Sequence, residues 1–236
     1  MSNTWFSFKQ FTIHQERSAM KVSTDACIQG AWTPVNSTIK QALDIGCGTG
    51  LLSLMLAQRQ PSLLIQALEL DQEAALEAKS NAVASPFAER ILIRQGDART
   101  YTSASPFDLI ICNPPFFNNS LLGPAAQRNQ ARHSLSLSQA DLFGCIDRNL
   151  SGSGSASVLL PVTESGHWQQ LLHQNGWYTL NQLRIIPRPG ASANRIVHIC
   201  SRIPADPQEE DLLIRDRSGA YTPEFTNLLR PFYLKL

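Results

Sequence analysis

The chain has 236 residues, 43% of them hydrophobic, and a formal net charge of +1, which suits one well-buried domain and leaves too little for two full ones. No apolar run approaches the roughly 20 residues that span a bilayer, and the N-terminal "MSNTWFSFKQ" lacks a signal peptide's hydrophobic stretch, so a soluble cytoplasmic protein is expected. Cys27, Cys47, Cys112, Cys145 and Cys200 are scattered without CxxC spacing, which argues against a zinc knuckle or a disulfide framework and leaves them as small core residues.

Residues 1–40 fall outside any regular alternation and are expected to form an N-terminal cover for a ligand crevice. "QALDIG" (41–46) then reads as a strand, and "LLSLMLAQRQ" (51–60) as a helix with Leu51, Leu54 and Met55 on one face. "SLLIQALEL" repeats the strand, "DQEAALEAKSNAVA" the helix, opened by Asp71 as N-cap, and "RILIRQGD" is a third strand. "SPFDLIICN" (105–113) is a fourth; its run Leu109-Ile110-Ile111-Cys112 is apolar on both faces, as in a central strand of a helix-covered parallel sheet. "SQADLFGCIDRNL" is predicted helical, "SGSGSA" (151–156) a glycine-serine turn, "SASVLLP" a strand, and "ESGHWQQLLHQNGW" a helix stopped by Gly176. "YTLNQLRII" and "RIVHICSRI" resemble a hairpin that would add an antiparallel edge strand. Strands alternating with helices call for βαβ units and a mostly parallel sheet in an α/β fold.

In such a sheet ligands lie beyond the carboxyl ends of the strands. "LDIGCGTG" (43–50) joins the first strand to the first helix there, and Gly46, Gly48 and Gly50 remove Cβ atoms where backbone must turn tightly and approach a ligand. A pyrophosphate loop spaces its glycines GxGxxG, whereas this one is GxGxG behind Asp44. An acidic residue beside the loop suits a ligand with an ammonium group better than one with two phosphates. S-adenosyl-L-methionine carries such a group beside its sulfonium, and the loop resembles the first motif of the class I methyltransferases. That resemblance implies a Rossmann-like fold with a mostly parallel seven-stranded sheet, an antiparallel last strand and helices on both faces. It also implies a single domain over 1–236, with the catalytic core at 41–236. Glu69 ends the second strand where a ribose-holding carboxylate belongs; Asp71 competes but is better suited to capping. Asp97, past the third strand, stands where methyltransferases of this class contact the cofactor's adenine amino group.

"NPPFF" (113–117) follows the fourth strand. Its two prolines extend neither a sheet ladder nor a helix interior, and they stiffen the segment where Asn113, Phe116 and Phe117 emerge. An Asn side-chain oxygen and the carbonyl of Pro114 can accept both N–H bonds of an exocyclic amine. They would aim its lone pair at a sulfonium methyl and stabilise the charge that develops, with no metal. Phe116 offers a face on which a base can stack. Asn113-Pro114-Pro115-Phe116 resembles the [DNS]-P-P-[FYW] signature of amino methyltransferases.

The leader narrows the acceptor. "FKQFTIHQERSAMKVSTDACIQGAW" (8–32), through Phe8-Lys9-Gln10-Phe11, Met20-Lys21-Val22, Thr24-Asp25 and Gly30-Ala31-Trp32, resembles the bacterial family that methylates the N6 amine of adenine 37 in a valine tRNA. The ending "LLIRDRSGAYTPEFTNLLRPFYLKL" resembles it too. The chain departs from that family at Phe116, where Tyr is common, and at Ala26, where Gly is common. The resemblance implies that Lys21, Thr24 and Asp25 border the cofactor, and that a monomer holds tRNA by its anticodon stem-loop without metal or membrane. Guanine N2 of ribosomal RNA and the N5 amide of a protein glutamine remain alternative acceptors, although enzymes for both usually carry a further N-terminal domain. A non-catalytic RNA-binding module fits poorly with an intact glycine loop, Glu69, Asp97 and NPPF.

Charge placement adds one expectation. No Asp or Glu falls between Asp108 and Asp141 or between Glu164 and Asp206, whereas Arg128, Arg132, His133, Arg184, Arg188, Arg195 and Arg202 do. A surface tolerant of phosphates is expected from these stretches, with ordinary solvated arginines as the alternative. His14, His133, His167, His173 and His198 show no metal-ligand spacing.

Overall fold

The structure, a computed structural model, describes residues 3–18, 20–114 and 137–236. Phe116, Phe117, Arg128, Arg132 and His133 lie outside the described residues. A short hairpin, β1 (Trp5–Ser7) and β2 (Thr12–His14), precedes helix α1 (Thr24–Trp32). The alternating part follows as β3 (Gln41–Ile45), α2 (Leu51–Arg59), β4 (Leu64–Glu69), α3 (Gln72–Val83), β5 (Ile91–Gln95) and β6 (Phe107–Cys112). Then come α4 (Gln139–Asn149), β7 (Leu150–Pro161), α5 (Val162–Gln174), β8 (Tyr178–Ile186), β9 (Arg195–Ser201), β10 (Gln208–Leu213) and α6 (Pro223–Leu229).

Strands β3 to β10 form one eight-stranded sheet in the order β5-β4-β3-β6-β7-β9-β8-β10. Its neighbours run parallel except at β9, which is antiparallel to both β7 and β8. The apolar run in β6 divides between the two faces, as its lack of alternation requires. Leu109 and Ile111 join a core with α1, α2 and α6, while Ile110 and Cys112 join another with α4 and α5. Local signals set several helix ends. Asp71 Oδ1 accepts the Ala74 N–H at 2.8 Å, Ser138 and Asp141 form a reciprocal capping box, and Gly176 turns the chain after α5 at φ +71°.

Two expectations change. The "SGSGSA" stretch is not a turn but the first half of the twelve-residue strand β7. The ladder with β6 shifts register between Phe107 and Leu109, where a Cβ on Gly154 would lie 2.9 Å from the Asp108 carbonyl. A glycine therefore serves close strand approach at an irregularity rather than chain reversal. The hairpin of β8 and β9 forms, but its antiparallel member is interior. β9 is buried along nearly its whole length, so it needs a neighbour on each side. The edge is β10, "QEEDLL", an eighth strand beyond the expected seven, parallel to β8 and mostly exposed, so the last strand is not the antiparallel one. Its charged, non-alternating sequence hid it, and such charge protects an edge from further pairing. Asp211 stands opposite Arg184 in the register, with Arg184 Nε 2.6 Å from Asp211 Oδ1.

The N-terminal hairpin meets the C-terminus. The Lys9 N–H donates to the Phe232 carbonyl at 2.8 Å, and the Phe8 ring packs on Phe11 and Tyr233 at centroid distances of 4.6 and 5.9 Å. α1 packs on α2 and α6.

β9 also buries His198, whose Nε2 lies 2.9 Å from Ser165 Oγ while Nδ1 has no hydrogen-bond partner among the described residues. Burial disfavours the charged ring and pushes its pKa down from 6.5 to about 4. Unfolding then takes up a proton between those values, so stability present above pH ~6.5 is lost as pH falls toward 4, by at most about 3 kcal/mol. Asp44, raised to about 7 by burial, works in the opposite direction over the same window, so the comparison must be differential. Urea unfolding at several pH values should show wild type losing more stability on acidification than His198→Gln. Parallel pH profiles for the two proteins would mean that the ring charges inside the fold.

Candidate functional site

The chain leaves β3 toward β4 and β5 on one side, and continues from β6 to β7 on the other. The boundary between β3 and β6 is thus the switch point at which ligands bind in open α/β sheets. Register pairs Ile45 with both Cys112 and Leu68, and Glu69 with Gln95. Asn113, the glycine loop, Glu69 and Asp97 therefore emerge side by side along one carboxyl edge.

The loop turns through three left-handed glycines: Gly46, Gly48 and Gly50 have φ of +67°, +53° and +81°. L-residues with a Cβ are disfavoured there, which accounts for the GxGxG spacing. The Gly46 and Cys47 N–H groups donate to the Leu68 carbonyl at 2.8 and 3.1 Å. Glu69 completes the brace: its Oε2 accepts the Gly48 N–H at 2.8 Å and its Oε1 accepts the Asp71 N–H at 3.0 Å. Each oxygen keeps further lone-pair capacity for a hydroxyl donor. Asp71 uses one oxygen, Oδ1, on the α3 cap.

Asp44 is fully buried under the loop. Its Oδ2 accepts the Ser53 N–H and hydroxyl at 3.1 and 2.7 Å, while Oδ1 has no partner among the described residues. Burial pushes the carboxyl up to about 7, and the two Ser53 bonds pull it back. A buried acceptor without a donor is costly. An ammonium group reaching the loop would supply one, so the residues present fit a cationic amino-acid moiety.

The other sites divide. Both oxygens of Asp97 are taken by Arg99: Nε lies 3.0 and 2.9 Å away, Nη2 lies 2.6 Å from Oδ2, and the Arg99 N–H reaches Oδ1 at 2.9 Å. These bonds hold its carboxyl below the usual range. Four donor contacts leave Asp97 little capacity for an adenine amino group unless the guanidinium swings away. Thr24 opens α1, which is capped by Ser23. Asp25 faces Arg195 at 3.9 Å, and Lys21 Nζ lies 3.4 Å from the Asn3 carbonyl.

Asn113 is half-buried at the tip of β6, and its amide makes no hydrogen bond to another described residue; Pro114 behind it is buried. The preceding carbonyl is anchored. Gln29, fully buried on α1, donates from Nε2 to the Cys112 and Ser157 carbonyls at 3.0 and 3.2 Å. Thr33 and Ser157 join the same network at 2.7 Å between hydroxyl oxygens. The sequence reading missed Gln29 together with Glu77 and Asn81 of α3. A polar residue on a helix's small, apolar stripe was the available signal, because Ala74, Ala75, Ala78 and Ala82 surround the last two.

The expected basic surface splits. Arg184 is paired with Asp211 and lies 3.7 Å from Glu209. Arg202 is paired with Asp147 at 2.8 Å, covers the Trp177 ring, and sits at the end of β9 away from the site. Among the described arginines of these stretches, Arg188, exposed in the turn after β8, and Arg195 at the start of β9 lie on the carboxyl edge that carries Asn113.

Residues 32–136 match the family model described as the methyltransferase small domain. Among solved structures, a predicted O-methyltransferase from Agrobacterium tumefaciens superposes with a TM-score of 0.67 at 18% identity, covering 88% of this chain and 96% of that one. The ribosomal protein L11 methylase from Lactobacillus delbrueckii subsp. bulgaricus gives 0.56 at 16% identity, covering 80% and 83%. At those identities the likeness establishes the fold. Sequence relatives go further. A tRNA1(Val) (adenine(37)-N6)-methyltransferase from Tolumonas auensis is 43% identical over 98% of this chain and 97% of its own length. One from Bacteroides fragilis strain YCH46 is 41% identical over the full length of both. The chain therefore belongs to the tRNA1(Val) (adenine(37)-N6)-methyltransferase family.

Proposed function

We propose that the chain transfers a methyl group from S-adenosyl-L-methionine to the exocyclic N6 amine of adenine 37, beside the anticodon of tRNA1(Val), in the cytoplasm and as a monomer. The observation that carries this is the adjacency of β3 and β6: the loop with Asp44 Oδ1 stands next to the Asn113 amide, and neither group has a hydrogen-bond partner among the described residues.

Asp44 and the glycine loop would hold the amino-acid end of S-adenosylmethionine, and Glu69 the ribose hydroxyls. When bound, that molecule supplies an electrophilic methyl group whose bond to sulfur breaks as the bond to nitrogen forms. The chain's own residues aim the acceptor. Asn113 Oδ1 and the Pro114 carbonyl would each take one N–H of the amine, turning its lone pair toward the methyl and stabilising the charge that grows on nitrogen. Phe116 would stack on the base after it leaves the anticodon loop. Gln29 keeps the Cys112 carbonyl, one residue before the clamp, from shifting.

Three expectations test this reading. Glu69→Ala should lower S-adenosylmethionine affinity at least ~tenfold, the scale of losing a charged hydrogen-bond acceptor, while Asp71→Ala should cost about 1 kcal/mol of stability and leave affinity alone. Calorimetry and urea unfolding separate the two, and the opposite pattern would move the ribose contact to Asp71. Asn113→Ala should still bind S-adenosylmethionine yet lose ~100-fold or more in single-turnover methylation of unmodified tRNA. A folded Asn113→Ala protein that methylates near normally would eliminate the amide clamp. Reversing Arg188 and Arg195 to Glu should weaken tRNA binding and reduce the salt slope by about 1 for each phosphate no longer neutralised. Reversing Arg184 and Arg202 should leave that slope unchanged, and an equal loss from both pairs would place the RNA elsewhere.

A further inference from the structure

Helix α3 buries a carboxylate that belongs to no cap and, among the described residues, to no ion pair. Glu77 is 6% exposed and accepts three consecutive backbone N–H groups from the leader: Glu16 at 2.6 Å and Arg17 at 2.9 Å on Oε1, and Ser18 at 2.9 Å on Oε2. One turn on, Asn81, 1% exposed, accepts the His14 N–H at 2.9 Å. Its Nδ2 donates to the His14 carbonyl at 2.8 Å and to the Thr49 carbonyl, within the glycine loop, at 3.0 Å. The leader closes on itself through Gln15, whose Oε1 accepts the Val22 N–H at 2.8 Å. The docked strap touches the loop directly, because a Cβ on Gly48 would meet Ser18 Oγ at 3.4 Å. Gly48 is also the residue whose N–H Glu69 holds.

We infer that Glu77 is a positioning residue for the cofactor, acting through leader residues 14–18, which it holds against the glycine loop. Residues 16–18 form no helix or sheet, and among the described residues this carboxylate is the acceptor for their three N–H groups. Hydrogen bonds to a charged acceptor are the stronger kind, and three on one side chain tie residues 16–18 to α3. If only the docked form completes the pocket, apparent affinity falls in proportion to the docked fraction. The inference rests on reading this crevice as the S-adenosylmethionine site. It does not require tRNA to be the acceptor.

The test compares the full-length protein with Glu77→Gln, which keeps the shape but presents an amide to the same donors. Dissociation constant and KM for S-adenosylmethionine should both rise by ~tenfold or more, with kcat at saturation and KM for tRNA within about twofold of wild type. Trypsin should cut after Arg17 at least ~tenfold faster, because cleavage needs local release of the leader, and S-adenosylmethionine should slow the cut. Gln15→Ala releases the strap from the leader's own side and should show the same split if Glu77→Gln fails to fold. Faster cleavage with unchanged cofactor affinity would overturn the proposal, as would unchanged cleavage. Calorimetry and proteolysis need no RNA, so a failure to methylate any tRNA would count against the proposed acceptor alone. Wild-type protein that binds no S-adenosylmethionine would instead sink the reading of the crevice and this inference with it.

Discussion

The parallel pairing of β3 with β6 is the contact on which the rest depends. It is held by side chains buried on both faces, Ala42, Leu43 and Ile45 on one strand and Leu109 to Cys112 on the other. Full burial of one large aliphatic side chain contributes about 1.5–3 kcal/mol, so slipping this pair by one residue would exchange two cores at once. Because Ile45 stands opposite Cys112, the residues that follow, Gly46 and Asn113, leave the sheet as neighbours. Helical crossovers then carry the chain away in opposite directions, and a crevice opens between them.

Loops along that edge have no ladder of their own, and acidic side chains take its place. Glu69 braces Gly48, Asp71 caps α3, Glu77 gathers residues 16–18, and Asp44 holds Ser53. These groups differ in what they have left over. Asp97 is committed to Arg99 and Asp71 Oδ1 to the α3 cap, whereas Asp44 Oδ1 and the Asn113 amide have no hydrogen-bond partner among the described residues. Capacity left unused beside a crevice is where a ligand gains most, since it removes an existing penalty rather than trading one bond for another.

The ends of the chain serve the same edge from outside the alternating pattern. The leader crosses the glycine loop under the hold of α3, while Phe8, Phe11 and Tyr233 seal the hairpin onto the C-terminal turn. α1 then reaches the centre of the sheet through Gln29, so a helix that begins near Thr24 ends by securing the strand that presents Asn113.

Local chemistry made much of this legible. Period and capping residues marked the four described α-helices between residues 51 and 174, the unalternating run at 109–112 marked a central strand, and glycines at 46, 48 and 50 marked a tight loop, because each depends on residues within a few positions of one another. Likewise Asp71 could be read as the cap of α3 from its place before a helix. Partner choice across the chain was not legible. Whether the 151–154 stretch turns or pairs depends on the approach of β6, and β10 exists because β8 offers it Arg184. The arginines that looked alike in sequence divide into paired and edge-facing sets only once β8, β9 and β10 are laid side by side. Glu77 has the same standing: on an isolated helix it is a surface acid, and only the folded leader, sixty residues away in sequence, makes it an acceptor for three backbone amides. Sequence determines what each segment can do alone, and the tertiary fold decides which distant donors and charges each side chain finally meets.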